Sequence, residues 1–295
     1  KKDVVFLGNI GNPMLEELMK PVAKGRVYIL ELSSYQLDDI QFSPDIAVVT
    51  NLFPEHMTYH GGLKNYYNAK KNIINFQTPK DFFVYNQNNT LLKSWLKGYQ
   101  GSAFGFQNKK IAKTQLKGDH NQDNIRAALM VAQMLRIKDS VAKKAVESFK
   151  PLPHRLELVG DYKGVSFYDD AISTSPESTI EAIKTLKNID TILLGGEDRG
   201  YTFTQLEKII KKYKIKNIVL FPDSGDHIFK EATDLNILRT KDMSQAVQFA
   251  YLHTRPGKIC LLSSASPSYS LWKNFEEKGD QFKYFVRKLA NEKAY

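Results

Sequence analysis

Short apolar runs alternate along the chain with stretches of helical periodicity, and this alternation constrains the fold more than any other feature. Val27–Leu32 and Asp45–Leu52 are almost continuously apolar. A strand needs apolar residues on both of its faces only when both faces of the sheet are covered, as in parallel sheets flanked by helices. The pattern therefore predicts an α/β fold with mostly parallel sheets.

The alternation is interrupted at residues 150–157, KPLPHRLE, where two prolines stop a helix and stiffen the connection. We place a domain boundary here, so that residues 1–150 form a first α/β domain and residues 151–295 form a second. In the first domain, strands are predicted at residues 4–8, 27–32, 45–52, 82–85 and 103–106, and helices at 121–135 and 140–149. In the second, strands are predicted at 165–168, 191–194, 217–221 and 258–263, and helices at 178–186, 203–213, 243–252 and 272–289.

The composition is that of a globular protein of the cell interior. Of the 295 residues, 42% are hydrophobic and 25% are charged, which is enough to bury a full core. The single cysteine, Cys260, excludes a disulfide within the chain and fits a reducing cytoplasm. No apolar run reaches the ~20 residues that a membrane span needs, and no signal peptide is visible. We therefore expect a cytoplasmic protein that does not insert into membranes.

The net charge of +10 could indicate nucleic acid, a membrane surface or an anionic small ligand. The lysines are scattered, and neither zinc-finger spacing nor an RNA-recognition signature is present. We expect most of this charge to be solvated surface, with a smaller share that attracts a polyanionic substrate. Nucleic-acid binding is left open by charge alone and is not expected.

Ligands of α/β sheets bind beyond the carboxyl ends of the strands, so the residues that follow each predicted strand are candidates for function. Each of these residues could also have a purely structural role. Ser33 and Asp170 could cap helices, and Asn9 could occupy a turn. His56 could be an ordinary loop histidine, and Lys70 could be a lysine exposed to solvent. A carboxylate, an imidazole and a lysine at one sheet edge together favour a site.

Eight segments carry a resemblance to the Mur ligases, in that family's order and over nearly the whole chain. They are GNIGNP, ELSSYQL, TNLFPEHMTYHGGLKNYYNAK, LKGDHNQDNIRAAL, LPHRLE, YDDAISTSPEST, LLGGEDRGYTF and LLSSASPSYSLWKNFEEKGDQF. The ELSSYQL segment and the serines preceding KNFEEKG are typical of the members that add D-glutamate.

The resemblance implies a partial central ATP-binding domain, lacking the family's N-terminal UDP-binding domain and phosphate loop, followed by a Rossmann-like C-terminal domain. It implies an ATP-dependent ligase that joins D-glutamate to UDP-N-acetylmuramoyl-L-alanine through an acyl phosphate, as a monomer. Because G-x-x-x-x-G-K-[ST] is missing, the chain alone is expected to be inactive.

The resemblance also implies two Mg²⁺ ions, held by Glu31, His56 and Lys70. Lys70 would be carbamylated, which converts a cation that repels the metal into an oxygen anion that binds it. The neighbouring Lys71 points about 100° away on a helix and cannot substitute.

The remaining site residues are likewise implied by the resemblance. Asn121 and Asn124, spaced i and i+3 on a helix, match an adenine-binding signature, while Arg155 matches a phosphate ligand and Asp170 a ribose ligand. The UDP-sugar substrate would be held by Asn9, Ser33, Gln36 and His56. D-Glutamate would be held by Thr174, Arg199, Ser268 and the backbone around Phe275.

The chain departs from the family's pattern in three ways. Ile172 replaces a usual lysine, Thr58 replaces a usual aspartate, and the phosphate loop and N-terminal UDP-binding domain are not found. Arg199 stands where many members have lysine, which is a familiar variant. These departures keep other functions open. One is a different ligase of the superfamily, adding a diamino acid or acting like folylpolyglutamate synthetase. The other is a non-catalytic nucleotide- or substrate-binding paralogue.

Overall fold

A computed structural model describes residues 3–9, 14–21, 23–53, 57–107, 113–230 and 234–291. The chain divides into two compact units. Unit 1 comprises Lys1–Asn108 and Asp123–Lys138, and unit 2 comprises Lys109–Gln122 and Asp139–Tyr295. The units do not follow a single cut in the chain, and the domain boundary between residues 150 and 151 stays a prediction.

The described residues form eleven strands and eleven α-helices in the alternating order expected of an α/β protein. The strands are β1 (Val4–Gly8), β2 (Val27–Glu31), β3 (Ile46–Val49), β4 (Phe82–Asn86), β5 (Ser102–Phe106), β6 (Glu157–Tyr162), β7 (Val165–Asp169), β8 (Ile189–Gly195), β9 (Asn217–Phe221), β10 (Asn236–Arg239) and β11 (Ile259–Leu262). The helices are α1 (Met14–Leu18), α2 (Ser34–Leu37), α3 (Met57–His60), α4 (Leu63–Asn75), α5 (Thr90–Ser94), α6 (Asp119–Met134), α7 (Asp139–Ser148), α8 (Pro176–Leu186), α9 (Thr204–Lys212), α10 (Met243–His253) and α11 (Phe275–Asn291). Not one of these helices has the length and apolarity needed to cross a bilayer.

Unit 1 contains two parallel sheets. Strands β1 and β2 pair with each other, and β3, β4 and β5 form a three-stranded sheet in that order. Alternate residues of β4 explain why both faces of this sheet are covered: Phe83 and Tyr85 pack with Ile74 of α4 and with Trp95, whereas Val84 packs with Ala127 of α6. The predicted parallel α/β architecture is confirmed here.

Unit 2 is built on one six-stranded sheet with the order β10-β9-β8-β11-β7-β6. All neighbouring strands are parallel except β6, which pairs antiparallel with β7 at the edge. Ile192 and Leu194 of β8 belong to the core beneath α8 and α9, and the intervening Leu193 belongs to the core beneath α10 and α11. Helices thus cover both faces of the sheet, which is the doubly wound arrangement.

The strand order creates a crevice at one end of this sheet. The chain passes from β7 to β8 and later returns to place β11 between them. Ligands of doubly wound sheets bind outside the carboxyl ends of the strands at such a reversal. The loops that follow β7, β8 and β11 are therefore the natural place for a binding site in unit 2.

The observed helix starts differ from the predicted ones for reasons of capping. Helix α11 begins at Phe275 rather than at Trp272, because the Asn274 side chain accepts a hydrogen bond from the Glu277 amide at 2.8 Å. Helix α8 begins earlier than predicted, at Pro176, since Ser175 caps it and proline is favoured in a first turn.

Candidate functional site

In unit 1, Glu31 ends β2 beside the carboxyl end of β1. The two strands are in register there, and the Asn9 amide donates a hydrogen bond to the Glu31 carbonyl oxygen at 2.8 Å. The Asn9 side-chain nitrogen also lies 3.5 Å from Glu31 Oε1. Both side chains are exposed, so two of the predicted site residues share one accessible sheet edge.

Ser33 and Gln36 form the N-terminal cap of α2. Ser33 Oγ accepts a hydrogen bond from the Gln36 amide at 3.3 Å, and Gln36 Oε1 accepts one from the Ser33 amide at 2.9 Å. This reciprocal pair is a capping box, which satisfies two backbone donors at the helix start. The structural alternative for Ser33 is thus realised, and any contact of these two residues with a substrate stays a prediction.

Lys70 lies on α4 and is half-buried, and its Nζ is 5.5 Å from the ring centroid of the fully buried Tyr66 one turn earlier. The helix therefore directs Lys70 over an aromatic face rather than into open solvent. The third residue of the predicted metal set, His56, lies outside the described residues. The metal site as a whole stays a prediction.

Unit 2 contains a cavity of about 410 Å³ that is lined by two of the four predicted nucleotide residues. Asn121 and Arg155 line it, together with Lys117, Lys150 and Tyr168. Asn121 is buried and donates from its side chain to the Lys117 carbonyl oxygen at 2.7 Å. The predicted Asn121 and Arg155 are thus brought together.

Asn124, by contrast, is exposed one turn further along α6, in the part of that helix that belongs to unit 1. Its predicted contact with adenine stays a prediction.

The cavity wall carries a cation–aromatic pair that the sequence reasoning missed. Lys117 Nζ donates to Tyr168 Oη at 2.7 Å and lies 4.9 Å from the centroid of the same ring. Three basic residues, Lys117, Lys150 and the exposed Arg155, line the cavity together with one acidic residue, Glu157. The lining thus has an excess of positive charge, which favours an anionic ligand. Lys117 lies in the segment LKGDHNQDN, which also contains the predicted Asn121 and Asn124. Its partner Tyr168 is 51 residues away, so the sequence does not indicate this pair and the fold does.

Asp170 lies behind this cavity rather than at its surface. It is 3% exposed, and its carboxylate accepts hydrogen bonds from the Leu156 amide at 3.1 Å, Ser173 Oγ at 2.6 Å and Ser263 Oγ at 2.8 Å. Burial raises the pKa of Asp170 to about 6 against the opposing effect of these donors. Since Leu156 lines the cavity, Asp170 fixes the cavity wall. Its predicted role as a ribose ligand is untested.

The residues predicted for D-glutamate lie on the loops that follow β7, β8 and β11. Half-buried Thr174 follows β7 and exposed Arg199 follows β8. The Arg199 guanidinium lies 5.9 Å from the ring centroid of Tyr269, the neighbour of Ser268, and donates to Glu197 Oε2 at 2.8 Å. The structure therefore brings Arg199 next to the loop that contains Ser268.

Ser268 is only 2% exposed, and its Oγ has no hydrogen-bond partner within the described part of the chain. Buried hydroxyls are nearly always hydrogen-bonded, so the Ser268 hydroxyl is a candidate contact for a ligand. Phe275, the last of the predicted group, is half-buried and is the first residue of α11.

In the glycine-rich segment GGEDRG, residues 195–200, the structure requires a glycine at position 196. Its φ is 155°, and a β-carbon there would overlap the Pro267 carbonyl oxygen. The next residue, Glu197, donates its amide to the same oxygen at 2.8 Å. The glycine allows the loops after β8 and β11 to touch, which is what places Arg199 beside the Ser268 loop.

Beneath these loops lies an ionic cluster. His154 Nδ1 is hydrogen-bonded to the fully buried Asp169 Oδ2 at 2.8 Å, and its amide donates to Glu157 Oε2 at 2.9 Å. The hydrogen bond to Asp169 is the main cause that raises the pKa of His154. These three residues have the spacing of a metal site, with ligand atoms within 4.8 Å of one another. However, Lys283 Nζ lies 3.3 Å from Glu157 Oε2, so the protein supplies its own cation there.

A second lysine, Lys278, is completely buried in α11. Its Nζ donates a hydrogen bond to Ser264 Oγ. Burial lowers the pKa of Lys278 to about 7, while the charges of Asp169 and Asp170 act in the opposite direction. Lys278 lies in the segment KNFEEKG, whose sequence alone does not predict a role for this lysine.

Comparison with known proteins gives a consistent family match for both parts of the chain. Residues 9–128 match the protein family described as the Mur ligase middle domain, and residues 154–266 match the Mur ligase, glutamate ligase domain. The chain is 33% identical over 310 residues to a UDP-N-acetylmuramoylalanine--D-glutamate ligase of Streptococcus mutans, covering 97% of this chain and 68% of the relative. It is 34% identical to the ligase of the same name from Streptococcus equi subsp. zooepidemicus, over 95% of this chain and 67% of the relative.

Solved structures with the same fold come from related ligases. The MurF ligase of Thermotoga maritima in complex with ADP superimposes with a TM-score of 0.72 at 17% identity, covering 98% of this chain and 75% of the other. The UDP-N-acetylmuramate-alanine ligase MurC of the same organism gives a TM-score of 0.64 at 15% identity, covering 99% and 76%. At these identities the likeness shows a shared fold.

Proposed function

Because the chain belongs to the Mur ligase family, we propose that it serves the ATP-dependent ligation of D-glutamate to UDP-N-acetylmuramoyl-L-alanine, a step of peptidoglycan precursor synthesis. Residues 1–150 would act as the central ATP-binding domain and residues 151–295 as the amino-acid-binding domain. The names of the similar ligases support the choice of D-glutamate.

The nucleotide is proposed to bind in the cavity of unit 2. Arg155, Lys117 and Lys150 supply positive charge for phosphate groups, for which a guanidinium is well suited because it donates parallel hydrogen bonds. Tyr168 offers an aromatic ring and Asn121 an amide on the same wall. The basic lining fits a nucleoside polyphosphate, and Asp170 keeps the wall in place through the Leu156 amide.

The metal ions are proposed to bind at the carboxyl end of β2 in unit 1. Glu31 is exposed there, as an oxygen ligand for Mg²⁺ must be, and a carbamate on Lys70 would add a second oxygen anion. The carbamate forms when neutral Lys70 Nζ bonds to the carbon of CO₂ and releases one proton. When bound, Mg²⁺ would offset the negative charge of phosphate and carboxylate oxygens during the reaction. His56 completes the proposed set, while Asn9, Ser33, Gln36 and His56 would hold the UDP-sugar substrate.

One observation carries the proposal for the amino-acid substrate: Ser268 Oγ is buried without a hydrogen-bond partner among the described residues, and the ring centroid of its neighbour Tyr269 lies 5.9 Å from the guanidinium of Arg199. D-Glutamate brings two carboxylates, and each needs donors of hydrogen bonds. Arg199 supplies a guanidinium, Ser268 supplies a hydroxyl, and the backbone amides at the start of α11, near Phe275, supply further donors. Thr174 adds a hydroxyl after β7 and completes the proposed group.

In the proposed reaction, the substrate carboxylate has been activated as an acyl phosphate. The amine nitrogen of D-glutamate bonds to its carbonyl carbon, the bond from that carbon to the phosphate oxygen breaks, and phosphate leaves with the electron pair. The amine must first lose a proton. Fixed positive groups stabilise the negative charge that develops on the carbonyl oxygen, which is the main task of such a site.

Binding of amino acids to the 295-residue chain tests the substrate class without requiring turnover. Saturation-transfer NMR should detect D-glutamate and should detect neither L-lysine nor meso-diaminopimelate under the same conditions. A chain that bound a diamino acid in preference to D-glutamate would refute the proposed substrate and favour another ligase of the superfamily.

A further inference from the structure

Lys278 occupies a core position of α11, where burial of a charged side chain is unfavourable. The buried face of this helix carries Lys278, Gly279, Phe282 and Val286, and Lys278 is fully inaccessible to solvent. Removing an ammonium from water costs several kcal/mol unless counter-charges and hydrogen bonds compensate. A buried lysine therefore calls for a specific role.

The side chain of Lys278 contacts both ends of one loop, residues 263–274, which joins β11 to α11. At the start of this loop, Ser264 Oγ accepts a hydrogen bond from Lys278 Nζ. Near its end, the ring centroid of Trp272 lies 5.6 Å from the same nitrogen, within the range of a cation–aromatic interaction. The side-chain nitrogen of Lys278 thus contacts Ser264 and Trp272, two residues of the 263–274 loop that are eight positions apart in sequence.

The middle of the 263–274 loop is hydrogen-bonded to the segment that follows β9. Ser266 Oγ donates to Ser224 Oγ at 2.7 Å, and Ser270 Oγ donates to the Pro222 carbonyl oxygen at 3.1 Å. Ser268 lies between these two attachments, and its carbonyl oxygen accepts the amide of Trp272 at 3.0 Å. The unpartnered Ser268 hydroxyl therefore sits on a loop whose conformation is fixed on both sides.

Two carboxylates at the opposite strand end offset part of the cost of burying Lys278. Asp169 and Asp170, at the carboxyl end of β7, are both buried and both attract the ammonium electrostatically. Asp170 also binds Ser263, the first residue of the 263–274 loop, at 2.8 Å. The carboxylates of β7 and the lysine of α11 thus enclose the start of the loop between opposite charges.

We propose that Lys278 is a positioning residue of the amino-acid site: its side-chain nitrogen contacts both ends of the 263–274 loop and thereby sets where Ser268 and Phe275 lie. The inference deepens the proposed function, on which it rests for the identity of the ligand. Lys278 itself is inaccessible and acts through Ser264 and Trp272 rather than by touching D-glutamate.

The direct test is amide hydrogen exchange in the 263–274 loop, because it needs neither ligand nor activity. Lys278→Met keeps the length of the side chain and removes its charge. Loss of both anchoring contacts should accelerate exchange at Leu271 and Trp272 by about tenfold or more, since local opening then costs less free energy. Exchange at Leu193 in the central strand β8 should stay within about twofold of the unmodified chain.

Two outcomes would overturn the proposal. One is unchanged exchange in the loop, and the other is an equal increase in the loop and in β8, which would show general destabilisation. Lys278→Arg, which keeps the charge, should restore most of the loop protection. If Lys278→Met does not fold, Ser264→Ala provides the same test, because it keeps the lysine and removes its acceptor. Ser264→Ala should accelerate exchange by about threefold, in the loop alone.

Ligand binding separates this inference from the function on which it rests. In the unmodified chain, NMR titration should show D-glutamate binding, and Lys278→Met should weaken it by about tenfold while Lys278→Arg restores it. If the unmodified chain fails to bind D-glutamate, the proposed function fails and the exchange data still decide whether Lys278 positions the loop. If Lys278→Met binds D-glutamate as tightly as the unmodified chain, the proposed positioning role is wrong.

Discussion

Gly279 packs directly against the imidazole of His154, so closely that a β-carbon at position 279 would overlap His154 Nδ1 and come within 2.6 Å of Asp169 Oδ2. The contact joins α11 to the segment between α7 and β6. This close contact requires glycine at position 279, because any β-carbon there would clash with the His154–Asp169 pair.

Gly279→Ala should therefore destabilise unit 2, although alanine is ordinarily the better helix former. The added methyl group must displace a buried ring or a buried carboxylate, so we expect the free energy of unfolding to fall by about 2–3 kcal/mol. Urea denaturation followed by fluorescence measures the change. Arg287→Ala, at an exposed position of the same helix, is the control and should change stability by less than about 0.5 kcal/mol. A neutral or stabilising Gly279→Ala would show that the packing is looser than described.

The hydrogen bond between His154 and Asp169 should make stability depend on pH. The pKa of His154 is raised above its ordinary value of 6.5, chiefly by this bond. The stabilisation by the charged imidazole is therefore complete below pH 6.5 and is lost as pH rises through the folded-state pKa. His154→Asn keeps a donor toward Asp169 and cannot titrate. The stability advantage of the unmodified chain over this variant should thus be larger at pH 5.5 than at pH 8.5, by about 1 kcal/mol.

The matched control is His253→Asn, at an exposed histidine on α10. Its stability difference from the unmodified chain should be the same at the two pH values. An advantage of His154 that grew toward pH 8.5 would have the opposite sign from that expected of a charged His154, and the assigned charge state would be wrong.

Carbamylation of Lys70 can be observed directly by ¹³C NMR in buffer with ¹³C-labelled bicarbonate. Lys70 lies over Tyr66 on α4, whereas Lys71 leaves the helix about 100° away. A carbamate signal should therefore appear in the unmodified chain, disappear in Lys70→Gln and persist in Lys71→Gln. Equal signals from all three proteins would place the modification elsewhere or exclude it.

The cavity of unit 2 should bind ADP, and its basic lining should account for most of the affinity. Arg155→Gln removes a charge-assisted hydrogen bond to phosphate, so we expect binding to weaken by about ten- to a hundredfold in isothermal titration. Arg287→Gln, which removes an arginine outside the cavity, should leave the affinity within about twofold. Undiminished ADP binding by Arg155→Gln would locate the nucleotide elsewhere.

The sequence predicted the framework of this fold well because parallel strands covered on both faces leave continuous apolar runs. Val27–Leu32 and Asn217–Phe221 became β2 and β9 with at most small changes at their ends. Strands β6 and β10 were missed, since both lie at sheet edges, where one side faces solvent and the apolar pattern is diluted.

The residues of the candidate site were predictable from the sequence only where they belong to a local motif. Arg155 and Asn121 could be selected from LPHRLE and HNQDN, and the fold brings them to one cavity. Lys117 and Tyr168 could not, because a contact across 51 residues leaves no local signal. The burial of Lys278 could have been predicted, because it shares an apolar helical stripe with Phe282 and Val286. The same pattern does not identify the residues that contact it.

The central claim is that Arg199 and the Ser268 loop form the site for D-glutamate, and calorimetric titration of D-glutamate tests it most directly. The unmodified chain should bind, and Arg199→Gln should weaken binding by about tenfold or more, because a charged donor to a carboxylate is lost. Arg287→Gln, at an exposed arginine near the end of α11, should bind as the unmodified chain does. Equal D-glutamate affinity in the unmodified chain and in Arg199→Gln would contradict the proposed site.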